Sequence, residues 1–312
     1  MSESKSTRYW FYGPSGLRVG WRLLIFSAIL FVLFSVRNFL VSTLMQSMDD
    51  ITRYVIGQQF LRFAACLLAT WIMSRIEKRA VADYGLLWRR MFRGRFWQGA
   101  MLGFASITVL LGALHLCGVF DFGTIALHAG DVWKWAGLYA LVFIIIGFSE
   151  EFFYRGYAQF TLTDGIGFWP AAVVWSALFG FGHSGNTGET WFGMVNAAVG
   201  GLFFCLMLQR TGNLWMPIGF HTAWNWGETY FYGVANSGVV VPGHLFDSGF
   251  SGPVWLTGGT VGPEGSVLAT ALFVVLWFIV AAWLGESKYP GRAMAVVHPL
   301  PVTGGEGEAK SP

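Results

Sequence analysis

The chain has 312 residues, of which 54% are hydrophobic, 18% aromatic and only 12% charged. A soluble domain carries about 25% charged residues, so composition excludes an ordinary soluble protein and points to an integral membrane protein with several packed helices. The net charge of +3 matters less by its sum than by its placement, and no nucleic-acid partner is expected.

The N-terminal sequence MSESKSTRYWFYGPSG lacks a compact signal peptide with a small-residue cleavage site. The first apolar run is therefore read as a retained span. The expected fold is an all-α, polytopic bundle of about eight transmembrane helices, each needing roughly 20 residues. They fall near 21–43, 55–74, 96–119, 134–160, 168–184, 190–209, 213–233 and 266–285. A cytoplasmic arm at 1–20, a bundle at 21–285 and a disordered tail at 286–312 complete the expected organisation. The cysteines Cys66, Cys117 and Cys205 sit in apolar runs without paired spacing. They read as small hydrophobes, with neither a disulfide frame nor a cysteine zinc site.

Orientation follows from Lys and Arg. The arm carries Lys5, Arg8, Arg18 and Arg22, and the loop after span two carries Arg75, Lys78, Arg79, Arg89, Arg90, Arg93 and Arg95. Arg210 follows span six, and Lys288, Arg292 and Lys310 follow span eight. An even span count puts all of these on one side, against Arg53 and Lys134 on the other. The positive-inside rule then places both termini in the cytoplasm. In a bacterium the host bilayer is the cytoplasmic membrane. The 75–95 loop, with Tyr84, Leu86, Leu87 and Trp88 among its cations, reads either as an interfacial amphipathic helix or as an ordinary positive-inside loop. The Gly-rich segment 234–265 has no Lys or Arg. It reads as an external loop, either a lid or unstructured.

Polar residues inside the spans are costly, at a few kcal/mol for a charge at bilayer depth. Span four carries Glu150, Glu151 and Arg155 in an otherwise apolar run. Residues four apart share a helix face, so Glu151 can pair with Arg155. Glu150 points elsewhere and lacks that partner, which suits it to proton exchange. Span five places Phe179 and His183 four apart, and span seven does the same with His221 and Asn225. Glu228, three residues further, shares their stripe but reads better as an outer-interface residue. Arg37, Arg62, Gln58, Gln59 and His115, in spans one to three, read as structural or lipid-facing. The small residues Gly193, Ala197, Ala198, Gly200 and Gly201 make span six a close-packing helix.

Depth ties the clusters together. Counted from the inner membrane edge, Glu150, His183, His221 and Asn225 lie roughly 12–23 Å deep at 1.5 Å per residue. The hydrocarbon core is about 30 Å thick, so three clusters on three helices share its central layer. Carboxylates, histidines and an amide at one depth suit water activation and oxyanion stabilisation, the equipment of peptide-bond hydrolysis. No G-x-S-x-G, H-E-x-x-H or pair of aspartates in separate spans is present.

The motifs Glu150-Glu151-x-x-x-Arg155, Phe179-x-x-x-His183 and His221-x-x-x-Asn225, in that order, resemble those of the CAAX-processing and bacteriocin-processing (CPBP, or ABI) intramembrane proteases. That family includes the type II CAAX prenyl endopeptidases, and the resemblance covers about 135–235. It implies an endopeptidase acting on membrane proteins or lipidated peptides, with Glu150 as base helped by His183. His221 and Asn225 would form an oxyanion hole, while Glu151, Arg155 and Phe179 support the site. The family's metalloprotease label implies one divalent metal such as zinc, with His183, His221 and Glu150 as candidate ligands. A metal-free, glutamate-activated water is equally compatible with the residues. Buried carboxylates and histidines also suit a proton- or ion-coupled transporter, and a catalytically silent scaffold or immunity factor is the remaining alternative.

Overall fold

A computed structural model describes residues 10–13, 16–49 and 53–289. The arm residues Lys5 and Arg8 and the tail residues Arg292 and Lys310 lie outside the described residues. The long helices are α1 (Val19–Leu44), α2 (Arg53–Glu77, whose first turns to Phe60 are π-helical), α3 (Gly94–Leu116) and α4 (Gly130–Arg155). Short α5 (Tyr157–Ile166) and α6 (Phe168–Phe181) follow. The set ends with α7 (Trp191–Thr211), α8 (Trp215–Trp226, extended by a π turn over Gly227–Phe231) and α9 (Val267–Leu284). The protein is an all-α, multi-pass membrane protein. Among the described residues, six helical segments are long and apolar enough to cross a bilayer: Val19–Leu44, Arg53–Glu77, Gly94–Leu116, Gly130–Ile166, Trp191–Thr211 and Val267–Leu284.

The outward faces are apolar, with Phe31, Met101, Leu116 and Phe278 all well exposed. A helix that is hydrophobic all round is at home in lipid. Polar groups turn inward, because unsatisfied hydrogen-bonding groups cost several kcal/mol in hydrocarbon. Thr190 and Ser266 cap α7 and α9 by accepting the backbone N–H of Gly193 and Leu268. At the end of α4 the helix breaks at Gly156 and resumes as α5. A β-carbon on Gly156 would lie 2.3 Å from the Phe152 carbonyl oxygen.

The tightest helix crossing joins α3 and α8. A β-carbon at Gly99 would come 2.1 Å from the Met216 carbonyl oxygen, and one at Gly219 would come equally close to that of Phe96. Backbones in direct contact are what a G-x-x-x-G face provides. On the opposite side, Thr222 of α8 donates to the Phe143 carbonyl of α4 at 3.2 Å. Helix α8 is thereby wedged between α3 and α4, which fixes the position of His221 and Asn225.

Three expectations need correction, and a fourth is sharpened. The 75–95 segment is no amphipathic helix. It makes two short 3₁₀ turns, Val81–Tyr84 and Trp88–Arg90, and buries Tyr84 and Leu86 beneath the bundle. The 234–265 segment is ordered instead of unstructured: β2 (Phe246–Phe250) pairs antiparallel with β1 (Phe120–Ile125), a sheet the spans hid. His183 lies on the turn after α6, beyond its end at Phe181. The small residues of α7 serve more than one neighbour, with Gly200 against Phe273 of α9 and Gly201 against Ser176 of α6 and Arg155 of α4.

Candidate active site

A cavity of about 920 Å³ opens among α2, α4, α6, α7 and α8, at the top of the roughly 300–1,000 Å³ range of ligand clefts. Glu150, His183, His221 and Asn225 all wall it. Three separate stretches of chain therefore meet at one place, as their common depth suggests.

Glu151 anchors the frame. Its Oε1 accepts from Arg155 Nη1 at 3.1 Å and from His221 Nδ1 at 2.9 Å. Glu151 and Arg155 are fully buried. The Arg155 guanidinium lies over the Phe179 ring at 4.3 Å and the Phe204 ring at 5.3 Å. Gly201 makes this possible, since a β-carbon there would stand 2.7 Å from Arg155 Nη2. Phe179 also meets the His183 ring edge-to-face, with centroids 4.7 Å apart. One aromatic side chain thus touches both the buried cation and a candidate base.

The hydrogen bonds fix the histidine tautomers. A carboxylate and a carbonyl only accept. His221 Nδ1 therefore carries its proton toward Glu151, and His183 Nδ1 donates to the Phe179 carbonyl at 2.8 Å. Both rings keep Nε2 for the cavity. His221 Nε2 stands 3.8 Å from Glu150 Oε2, and the charges of Glu150 and His183 are close enough to interact. Asn225, one turn along α8 from His221, is buried at the cavity wall.

Glu150 departs from its sequence reading, because it has a counter-ion. Arg62 of α2 donates to Glu150 Oε1 at 3.0 Å. The sequence marked Arg62, Gln58 and Gln59 as structural or lipid-facing, yet all three line the cavity. Their signal was present as a polar stripe, since 58, 59 and 62 are three and four residues apart on one helix. Arg37 fits its earlier reading: it donates to Asn38 and lies on an exposed face. His115 bonds the Phe120 carbonyl. Glu228 is fully buried, which overturns its assignment to the outer water interface. It interacts with Glu264, a cavity-lining residue from the segment beyond α8 that sequence reasoning did not mark.

Residues 132–227, from the first turn of α4 to the end of α8, match the family model described as type II CAAX prenyl endopeptidase Rce1-like. Over that segment, about a third of its length, the chain is similar to that protease family. Comparisons with curated proteins and with solved structures returned no match. The Rce1-like segment holds Glu150, Glu151, Arg155, Phe179, His183, His221 and Asn225. Arg62 and Glu264 lie outside it.

The metal implied by the family label has a simple test of fit. Among the described residues no three of His, Cys, Asp and Glu converge as a metal-holding group. His221 Nδ1 is engaged by Glu151, and Glu150 Oε1 by Arg62. The donors left to hold a metal would be His183 Nε2, His221 Nε2 and Glu150 Oε2, and no step below passes through a metal.

Proposed function

We propose that the protein is an intramembrane endopeptidase that hydrolyses peptide bonds of membrane-associated protein or lipidated peptide substrates. One observation carries the reading: Glu150 Oε2 and His221 Nε2 stand 3.8 Å apart across a cavity also walled by His183 and Asn225. Two groups at that separation can both reach one reacting centre.

Glu150 acts as general base. Its Oε2 takes a proton from the attacking water, and His183, with Nδ1 tied to Phe179, offers the Nε2 lone pair to the same water. The hydroxide adds to the scissile carbonyl carbon. The carbonyl oxygen becomes an oxyanion that accepts hydrogen bonds from the Asn225 amide and His221. As an imidazolium, His221 donates from Nδ1 to Glu151 and from Nε2 into the cavity. The oxyanion then re-forms the carbonyl, the C–N bond breaks, and Glu150 gives its proton to the departing amine nitrogen. Glu151, Arg155 and Phe179 hold these groups in place, as buried supporting partners do in preorganised sites.

The proposed topology has eight crossings, with Phe168–Phe181 and the α8 segment as the two short ones and both termini in the cytoplasm. The bundle at 21–285 is then flanked by a cytoplasmic arm and tail. The charge bias of the loops supports this orientation. In a bacterium the protein would sit in the cytoplasmic membrane.

The decisive experiment compares peptide termini by quantitative proteomics in native membranes holding wild type or Glu150→Gln. The expected result is a set of termini that vanishes with the variant, at unchanged protein level. Full cleavage by purified Glu150→Gln would overturn the assignment. Solute uptake into proteoliposomes that is lost with Glu150 would favour a transporter. A cellular role indifferent to Glu150→Gln would favour a silent scaffold.

A further inference from the structure

The family segment begins at residue 132, yet the cavity is closed on one side by α2. Arg62 stands there with its guanidinium spread over three acceptors. Nη2 donates to Glu150 Oε1 at 3.0 Å and to Gln59 Oε1 at 2.6 Å, and Nε donates to Ser149 Oγ at 2.8 Å. Gln59 is buried and in turn donates from Nε2 to the Tyr54 hydroxyl at 2.8 Å. The Arg62 guanidinium also lies 5.9 Å from the Phe153 ring centroid. The cation is thus held on its own helix by Gln59 and grips α4 at 149, 150 and 153.

This arrangement treats the two oxygens of Glu150 differently. Oε1 is occupied by Arg62, while Oε2 faces His221 Nε2 across the cavity. A carboxylate that rotates freely presents either oxygen in any direction. One whose Oε1 is held by a donor that is itself anchored at Gln59 and Ser149 keeps its other oxygen turned to one side. We infer that Arg62 is a positioning residue of the reaction: it locks the Glu150 carboxylate so that Oε2 is the proton-abstracting atom. Helix α2 is then part of the catalytic unit, although the family match leaves it out. The inference rests on the proteolytic reading above and adds a residue to it.

A positioning role differs from a merely structural one in what it moves. Misplacing a reacting group by about 1 Å costs on the order of 10²-fold in rate, whereas substrate binding elsewhere in the cavity is untouched. The test uses the full-length protein in liposomes, with a fluorogenic prenylated CAAX peptide as reporter. Arg62→Met is expected to lower kcat about 10²-fold with KM within about twofold. Arg62→Lys keeps the charge and is expected to recover much of that loss and to keep the thermal midpoint of the wild type. Unchanged kcat in Arg62→Met would overturn the inference. So would equal loss in both variants together with a lowered midpoint, the mark of a structural residue.

A second readout needs no substrate. A hydrophobic carbodiimide should modify Glu150 faster in Arg62→Met than in wild type, as read by mass spectrometry of the 138–160 segment. Equal modification would overturn the inference. A wild type that cleaves no reporter while this labelling difference holds speaks against the proteolytic reading and not against the Arg62–Glu150 lock.

Discussion

Two knots of charge lie inside the bundle, and they are built on opposite plans. Where the start of α1 meets the C-terminal ends of α2 and α5, Arg22 bonds Asp164 at 2.9 Å and also pairs with Glu77. Glu77 further accepts from the hydroxyls of Tyr157 and Tyr84, and Arg79 approaches Asp164 at 3.7 Å. Both acids in this clasp are held by several donors, and neither lines the large cavity. In the second knot, Glu151 is held by two donors at Oε1 while its Oε2 is buried without a hydrogen-bond partner, and its neighbour Glu150 is held differently. Arg62 holds one of its oxygens and leaves the other facing His221. Burial and ion pairing are common to both regions. What separates the candidate site from the clasp is a carboxylate oxygen turned toward the cavity: Glu150 Oε2 faces it, whereas the unpartnered Oε2 of Glu151 is buried away from it.

That contrast can be broken most forcefully at Arg22. Removing one partner from a buried ionic network costs about 3–5 kcal/mol, because the charges left behind lose compensation. Arg22→Met should therefore destabilise the protein by roughly that amount, read as a lower thermal midpoint in detergent. The turnover of the folded fraction should stay close to that of the wild type. A normal midpoint, or a turnover defect without one, would mean that the clasp is not the structural half of the comparison.

Asn225→Ala tests the other half. An oxyanion donor contributes about 10²–10³-fold to kcat, and Asn225 makes no hydrogen bond among those that hold α8 in place. The expected outcome is a kcat loss of that order with the thermal midpoint preserved. A stability defect that accounts for the lost activity would move Asn225 from the reactive group to the frame.

The sequence reveals these two regions unequally, for a physical reason. Glu151 and Arg155 are four apart on one helix, so local geometry alone brings them together. Six of the eight expected spans coincide with helices long and apolar enough to cross a bilayer, while the fifth and seventh fall on the shorter helices α6 and α8. Arg62 and Glu150 are 88 residues apart, and no local pattern says which buried arginine meets which buried glutamate. That gap produced the reading of Glu150 as unpaired. The α3–α8 crossing is legible in principle, since Gly99 and Gly103 form a G-x-x-x-G pair, but the denser small residues of α7 are the stronger signal of the same kind. The β1–β2 pairing was not legible. Its strands are separated by five helices, and each is short enough to pass for loop. Glu228 was misplaced because helical periodicity gives a face but not what packs against that face.

The segment between α8 and α9 offers the gentlest test of the comparison, because it carries a half-buried acid, Glu264, that lines the cavity without belonging to the proposed reaction. Glu264 Oε1 accepts from the backbone N–H and the hydroxyl of Ser237, and its backbone carbonyl accepts from Asn196 of α7. It therefore ties the 234–266 segment to the bundle. Burial pushes the Glu264 carboxyl up from the ordinary carboxylate range, and the Glu228 carboxyl beside it and the charge of His183 face it within the protein. With the segment detached, Glu264 meets water and returns toward about 4.3. The attached form thus binds protons more tightly than the detached form. Its extra stability is full below that ordinary value and declines as pH rises through the raised one. Each pKa unit of difference corresponds to about tenfold in the attached-to-detached ratio. Hydrogen exchange of the 234–266 amides, corrected for the intrinsic rate, should accelerate with rising pH in the wild type. In Glu264→Gln the acceptor for Ser237 remains but the ionisation does not, so the exchange should lose that dependence. A pH dependence that persists in Glu264→Gln would place the titrating group elsewhere. The segment would then be a passive cover, and Glu264 would join Glu77 and Asp164 among acids that only hold helices together.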